Sequence, residues 1–199
     1  MQVPRLLLVR HGQTAWNTER RFLGRTDLPL DETGRAQAAA LHARLSRTQV
    51  DAVWSSPLLR ARQTIAGIGE PALVDALIEM DMGELEGLSG AEFAVKYPDL
   101  VRAWRDEPHA VALPGGERIE DVRERGLAAV RTIAGATAPG QTAVVVSHQL
   151  VLATVVGALS GAPLAQFRSF MHRNTGITTV EVHGAELRVV AFDDAGHLG

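Results

Sequence analysis

The chain has 199 residues, with 20 Lys and Arg against 23 Asp and Glu, a formal net charge of −3 and 46% hydrophobic residues. This length and composition are typical of one globular domain with a full core, and they argue against disorder, collagen or a coiled coil. The absence of cysteine excludes disulfides, thiolate metal sites and a cysteine nucleophile, and the mildly acidic charge gives no drive toward nucleic acid or an anionic membrane.

The first half of the chain alternates predicted strands and helices. The run of apolar residues at 6–9 is typical of a strand that is buried on both faces. Apolar residues at helical spacing follow at 32–46. A short strand at 50–54, a helix at 59–68 ended by Gly69 and Pro71, and an extended segment at 73–80 complete this half.

The second half continues the alternation and ends in a hairpin. Helices are predicted at 91–104 with a break before Pro98, at 117–136 and at 151–159, with a loop at 109–116. A buried strand is predicted at 142–147, and strands at 177–182 and 187–192 flank a turn. This pattern predicts an α/β fold over residues 1–199: one three-layer α/β/α domain with a mostly parallel sheet and an antiparallel C-terminal hairpin.

Two histidines follow predicted buried strands at the point where each strand ends. His11 follows the first strand through Arg10, and His148 follows the strand at 142–147. Ligands of open α/β sheets bind at this edge, and core packing alone would not repeat a histidine there. A guanidinium such as that of Arg10 suits phosphate, and Gly12 allows backbone amides to approach an anion closely.

Two arginines begin the helix at 59–68. Arg60 and Arg62 oppose the helix dipole there, and a bound anion would relieve that conflict. The alternative is a solvated arginine pair on a helix face. Trp16, Trp54 and Trp104 are interpreted as packing residues, with a position at the border of a pocket as the alternative for Trp16.

Several segments of the sequence resemble the motifs of one protein family, in the same order along the chain. The segment at 8–17 reads LVRHGQTAWN and resembles the Arg-His-Gly motif of the histidine phosphatase superfamily, also called the phosphoglycerate mutase-like family. The similarity covers most of the chain from residue 6 to 178, and the loop at 21–30 resembles that of the small bacterial phosphatases. The other matching segments are 33–38, 56–64, 79–87, 114–117 and 146–148.

The resemblance implies a role for each matching residue. His11 would be the nucleophile that forms a phosphohistidine, and Glu79 would protonate the leaving oxygen and then activate water. Arg10, Arg60 and His148 would hold the phosphoryl oxygens. The expected substrate-binding residues are Thr14, Asn17, Leu23, Gly24, Arg62, Met82 and Gln149.

The resemblance also implies which partners to expect. The substrate would be a small phosphorylated metabolite, with no metal, no cofactor, no nucleic acid and no membrane. It allows a homodimer, and the short apolar run near the N-terminus, too short for a signal peptide, predicts a cytoplasmic protein. A carboxyl beside phosphate keeps its proton more readily, so we expect a mildly acidic to neutral pH optimum.

The sequence departs from the family pattern at several positions. Gln149 stands where the family usually has glycine, which bears on the substrate more than on the chemistry. Met82 and Gly90 stand where the glycolytic mutases carry tyrosine and lysine. Only residues 105–113 fill the place of the long mutase insertion. These differences favour a phosphomonoester hydrolase over a phosphoglycerate mutase. A catalytically inactive phospho-ligand binding module and a metal hydrolase are the further alternatives.

Overall fold

The computed structural model describes residues 3–199 and contains one six-stranded sheet. The strands lie in the order β3-β2-β4-β1-β5-β6. Strand β1 pairs in parallel with β4, which pairs in parallel with β2, and β5 and β6 are antiparallel. The strands are β1 (Arg5–Arg10), β2 (Ala52–Ser55), β3 (Ala72–Leu73), β4 (Thr142–Ser147), β5 (Ile177–His183) and β6 (Glu186–Asp194).

The central strands bury both faces of the sheet in separate hydrophobic clusters. Leu6 and Leu8 of β1 belong to one cluster, and Leu7 and Val9 belong to the other, because successive side chains of a strand point to opposite faces. The helices that cover the two faces are α2 (Glu32–Leu45) and α3 (Leu59–Ile65) on one side, and α6 (Ile119–Ala136) and α7 (Gln149–Leu159) on the other. The predicted three-layer α/β/α class is therefore confirmed.

The parallel pairing of β1 with β4 brings the two predicted histidines to one sheet edge. Arg10 pairs with Ser147, so His11 and His148 follow in register at the carboxyl ends of adjacent strands. The remaining helices, α1 (Ala15–Thr18), α4 (Gly90–Lys96) and α5 (Pro98–Asp106), lie in the connections, and the last two meet at the predicted break before Pro98.

The structure corrects the sequence prediction in the short elements. The extended segment predicted at 73–80 is wrong: it holds the end of the two-residue strand β3 and a 3₁₀ turn at Asp75–Leu77. Helix α3 ends at Ile65 rather than at 68, because Ala66 is extended and Gly67 adopts a positive φ of 95°. The prediction also missed α1 and a 3₁₀ helix at Leu164–Phe170, which are too short for a hydrophobic period.

No helix within residues 3–199 is by itself long and apolar enough to cross a membrane. Helix α7 and the 3₁₀ helix at Leu164–Phe170 reach that length only as a pair, which is bent by 112°.

Candidate active site

His11 is fixed in one tautomer at the end of β1. Its ring is 3% exposed, and its Nδ1 lies 2.7 Å from the carbonyl oxygen of Gly12. A carbonyl only accepts, so Nδ1 carries the proton and Nε2 keeps a free lone pair. Burial, and then the positive charges of Arg60 and Arg10, lower the pKa of His11 well below 6.5. The ring is therefore neutral and able to attack an electrophile.

His148 packs against His11 from the neighbouring strand end. The two ring centroids are 5.1 Å apart. Arg60 Nε donates to His148 Nδ1 at 3.3 Å, so Nε2 of His148 carries the proton and donates to Ser56 Oγ at 2.7 Å. Burial, followed by the charge of Arg60, lowers the pKa of His148 well below 6.5 as well.

Arg10 presents a buried donor that has no partner in the protein. Its Nη1 donates to the carbonyl oxygen of His172 at 2.7 Å, but its buried Nε has no acceptor within residues 3–199. Burial lowers the pKa of Arg10 to about 10, so the group stays charged at neutral pH. A buried guanidinium with an unused N–H is suited to bind an oxyanion.

Glu79 is a buried carboxyl group with a raised pKa. Its Oε1 accepts from the backbone N–H of Met80 at 2.8 Å, and its Oε2 accepts from that of Leu150 at 3.2 Å. Burial raises the pKa of Glu79 against the effect of these hydrogen bonds and of Arg60 and Arg125. Such a group can hold a proton for transfer near neutral pH.

Arg125 fixes the segment that carries Glu79, and the sequence analysis missed it. Its guanidinium donates to the carbonyl oxygens of Ala76, Ile78 and Glu79 at 2.6–3.2 Å. Glu117 holds the same guanidinium through two hydrogen bonds of 3.0 Å. No sequence pattern indicates this contact, because an arginine in the helix at 119–136 looks like any solvated residue of a helix face.

Gly12 has a different role from the one expected. Its own amide donates to Thr64 Oγ1 at 2.9 Å, so this N–H is already used within the protein. A Cβ at Gly12 would lie 2.7 Å from the carbonyl oxygen of Gly34, and one at Gly34 would lie 2.0 Å from that of Gln13. The two glycines therefore let the His11 loop pack directly against the start of α2.

A cavity of about 250 Å³ opens at this sheet edge. We call the part lined by Arg10, His11, Asn17 and Glu79 the inner end, and the part lined by Phe22, Trp104, Phe167, Arg168 and Met171 the outer end. Arg21, Leu23, Met82, Gln149 and Leu150 complete the lining.

The structure places the predicted site residues at three depths. Seven of them line the cavity directly: Arg10, His11, Asn17, Leu23, Glu79, Met82 and Gln149. Arg60, His148, Thr14 and Gly24 are buried behind this lining. Arg62 is exposed on α3 and does not reach the cavity.

Among the predicted site residues, Arg60 makes the contacts that differ most from those expected. It is fully buried, and its Nη1 and Nη2 donate to the carbonyl oxygens of Thr26 at 2.8 Å and Gly24 at 2.6 Å. Burial lowers its pKa to about 10, so it places a positive charge behind His11. Arg60 and His148 do not line the cavity and lie buried behind the residues that do.

A polar network extends from His11 toward the substrate side. Asn174 Nδ2 donates to the carbonyl oxygen of His11 at 2.9 Å and lies 3.5 Å from Asn17 Oδ1. The same Asn17 oxygen accepts from the backbone N–H of Thr14 at 3.1 Å. Thr14 therefore acts on the position of Asn17 rather than lining the cavity.

The sequence analysis did not predict most of the residues that line the outer end. Trp104, expected as a packing residue, lines the cavity, whereas Trp16 packs against Gly87 as its main interpretation expects. Phe167 and Arg168 belong to the 3₁₀ helix at Leu164–Phe170, and Met171 follows it. Residues of a short 3₁₀ helix carry no period that would assign them to a pocket.

The acidic and histidine side chains do not form a metal-binding cluster in the described part of the chain. Within residues 3–199, no three His, Cys, Asp or Glu side chains are grouped so that they could hold a metal ion.

Comparisons with known proteins find similar sequences and structures over nearly the whole chain. The sequence profile of the histidine phosphatase superfamily (branch 1) matches residues 6–195. Phosphoserine phosphatase 1 of Hydrogenobacter thermophilus is 34% identical over 98% of this chain and 94% of its own length. The 2,3-bisphosphoglycerate-dependent phosphoglycerate mutase of Methylobacterium radiotolerans is 36% identical over 94% of this chain and 92% of its own. The solved structure of Bacillus stearothermophilus YhfR superposes with a TM-score of 0.91 at 33% identity, covering 98% of this chain and all of that one.

Proposed function

The chain belongs to the histidine phosphatase superfamily and is a metal-independent phosphomonoester hydrolase, and we propose that His11 is its nucleophile. The observation that carries this assignment is the buried, neutral His11. Its Nδ1 proton is held by Gly12 and its Nε2 is free in a cavity that Arg10 also lines.

In the first step, His11 Nε2 forms a bond to the phosphorus of the ester. The bond between phosphorus and the ester oxygen breaks, and Glu79 gives its proton to that oxygen, so the alcohol leaves. The raised pKa of Glu79 keeps the required proton on the carboxyl group. Arg10 donates its unused Nε–H to a phosphoryl oxygen and stabilises the charge that spreads over these oxygens.

In the second step, Glu79 acts as the base. Its carboxylate takes a proton from water while the water oxygen bonds to phosphorus, and the bond between phosphorus and Nε2 breaks. Inorganic phosphate leaves, and both residues return to their starting protonation states. The proton that Glu79 lost to the alcohol is thus replaced from water.

Arg60 and His148 support His11 from behind. The Arg60 charge lowers the pKa of His11 and adds to the positive potential at the inner end. His148 packs against the His11 ring and links it to Ser56. We propose that both are positioning residues, which act on the reaction through His11.

The substrate is a small organic phosphate. The cavity of about 250 Å³ is smaller than the roughly 300–1,000 Å³ of sites for drug-sized ligands. Leu23 and Met82 offer apolar walls, and Gly24 and Thr14 shape the cavity from behind. The Gln149 Oε1 atom is buried without a partner within residues 3–199, so we assign it to accept a hydrogen bond from the substrate.

Hydrolysis is favoured over a mutase reaction by the residues on the substrate side. Met82 lines the cavity at the position where the glycolytic mutases carry a tyrosine. Residues 105–113 form only the end of α5 and a short 3₁₀ turn at Pro108–Ala110. Water therefore reaches the intermediate without a long covering segment.

The test is hydrolysis of p-nitrophenyl phosphate in the presence of a chelator. We expect wild-type protein to turn over and the His11→Ala variant to lose at least about a thousandfold in kcat, as is usual when a nucleophile is removed. His109→Ala is the matched control, since His109 is exposed and does not line the cavity, and it should keep full activity. Equal activity of the wild type and the His11→Ala variant would refute the assignment.

The predicted cytoplasmic location and the homodimer stay predictions. The structure describes one chain.

A further inference from the structure

Three arginines line the cavity, and they differ in whether a carboxylate neutralises their charge. Arg10 lies at the inner end and is assigned above to the phosphoryl group. Arg21 forms ion pairs with Glu19 at 2.8 Å and Glu92 at 3.1 Å. Arg168 lines the outer end, and within residues 3–199 no carboxylate acts on its charge.

The Arg168 guanidinium is held in place without being neutralised. Its Nη2 donates to the carbonyl oxygen of Trp104 at 2.5 Å, and its Nη1 donates to that of Arg105 at 3.3 Å. Its Cζ lies 4.9 Å from the ring centroid of Phe167 and 5.8 Å from that of Trp104. These contacts fix its direction, but carbonyl groups and rings leave its net charge intact.

A fixed guanidinium of this kind suits a planar anion. It has five N–H donors, and only two of its nitrogens bind carbonyl oxygens here. A carboxylate accepts two of the remaining N–H groups in one plane, which gives such pairs their geometric selectivity. Partial burial lowers the pKa of Arg168, and an anion beside it would offset this partial loss of hydration.

We propose that Arg168 binds a carboxylate of the substrate at the outer end while the phosphoryl group occupies the inner end. The preferred substrates are thus phosphomonoesters of short hydroxy acids, whose carbon chain spans the apolar middle of the cavity. The inference rests on the proposed function, because it takes the inner end as the phosphoryl site. It makes Arg168 a residue for substrate selection, without a part in the bond changes.

The experiment compares two series of phosphate esters. One series consists of hydroxyalkanoate phosphates of increasing chain length, and the other of the matching neutral carboxamides. At the best length we expect wild-type kcat/KM to favour the acid over the amide by about tenfold or more, the size of one charge-assisted hydrogen-bond pair. Raising the salt concentration should shrink this preference, because the ion pair lies near solvent.

Substitutions at Arg168 test the residue itself. Arg168→Met should lower kcat/KM for the acids far more than for the amides and p-nitrophenyl phosphate, so that the preference for the acid disappears. Arg168→Lys keeps the charge without the planar fork and should retain part of the preference. The control is Arg102→Met, since Arg102 pairs with Asp99 on the exposed side of α5, and it should leave both series unchanged.

Each contrary result has one meaning. If no chain length favours the acid, or if Arg168→Met keeps the preference, the proposal for Arg168 is wrong and the hydrolase assignment stands. If wild-type protein hydrolyses neither series nor p-nitrophenyl phosphate, the proposed function fails and the inference fails with it. An equal loss on acids and amides in Arg168→Met would show a structural role instead.

Discussion

The inner and outer ends of the cavity are built from different kinds of structure. The inner end stands on the sheet edge, where His11 follows β1 and its neighbour His148 follows β4 in register. The outer end is built mainly from α5 and the 3₁₀ helix at Leu164–Phe170, which contribute the aromatic side chain of Trp104 and the charged side chain of Arg168. Groups on a sheet hold reacting atoms more rigidly than groups on short connecting segments.

This difference separates chemistry from selection. The inner end is made of buried groups whose protonation is set by their surroundings, because burial lowers the pKa of His11 and raises that of Glu79. The outer end carries a charge that is exposed to solvent and free of carboxylate partners within residues 3–199. Substitutions at the inner end should therefore change kcat, and substitutions at the outer end should change the preference among substrates.

After His11→Ala, the largest effect is expected for Glu79→Gln. An alkyl phosphate needs a proton on its leaving oxygen, so kcat/KM should fall by about 10²- to 10⁴-fold. The loss should be much smaller for p-nitrophenyl phosphate, whose leaving group departs without a proton. The exposed Glu84 provides the control, and Glu84→Gln should keep both activities. A similar loss on the two esters would remove Glu79 from the acid role.

The next largest effect is expected on the pH dependence of stability, and it comes from His172, the buried histidine beneath the inner end. Burial lowers the pKa of His172 to about 4 from 6.5. Below pH 6.5 the unfolded chain therefore binds a proton at His172, whereas the folded chain binds it only near pH 4. The free energy of unfolding falls as the pH falls through this range. His172 accounts for about 3 kcal/mol of this loss, at roughly 1.4 kcal/mol per unit of pKa shift.

Urea unfolding between pH 4 and 7 measures this dependence. His172→Gln should flatten the slope of the free energy of unfolding against pH, whereas His109→Gln, at an exposed position, should leave it unchanged. An unchanged slope in His172→Gln would mean that His172 is not buried in its neutral form.

A smaller effect is expected at Arg125, which positions Glu79 without touching the substrate. Arg125→Met should lower kcat by roughly tenfold, as the loss of one charged hydrogen-bonding group does. Its positive charge lowers the pKa of Glu79, so removing it raises that pKa further. The high-pH limb of kcat/KM, where Glu79 loses its proton, should then move to higher pH.

Arg125→Lys separates the charge from the hydrogen bonds. It keeps the charge, so the high-pH limb should stay near its wild-type position while kcat still falls. If the high-pH limb of kcat/KM does not move in Arg125→Met and both variants lose activity, Arg125 has a structural role only.

The smallest effect is expected at Gln149, which lines the cavity between the two ends. Gln149→Met keeps the size of the side chain but removes the buried acceptor, so KM should rise by about two- to tenfold at nearly constant kcat. Gln149→Gly should raise KM to a similar extent if the Oε1 atom of Gln149, and not the size of its side chain, contributes to substrate binding. A lower KM in either variant would show that the side chain obstructs the substrate.

The inner end could be predicted from the sequence far better than the outer end. Strand runs such as 142–147 and the residues directly after them have local signals, so the amino-acid pattern alone places His11 and His148 at one sheet edge. Arg125 could not be found, because its contacts with the Glu79 segment join residues about 46–49 apart in the chain. The outer end depends on how a 3₁₀ helix packs on α5, which no local pattern specifies.

The most direct test of the division between the two ends is to trap the intermediate. Wild-type protein and Arg168→Met would be mixed with p-nitrophenyl phosphate, quenched in alkali within one turnover, and analysed by mass spectrometry and phosphorus NMR. We expect one phosphoryl group on Nε2 of His11 in both proteins, formed at the same rate. A phosphoryl group on another residue, or on none while phosphate accumulates, would contradict the assignment of the inner end to the chemistry.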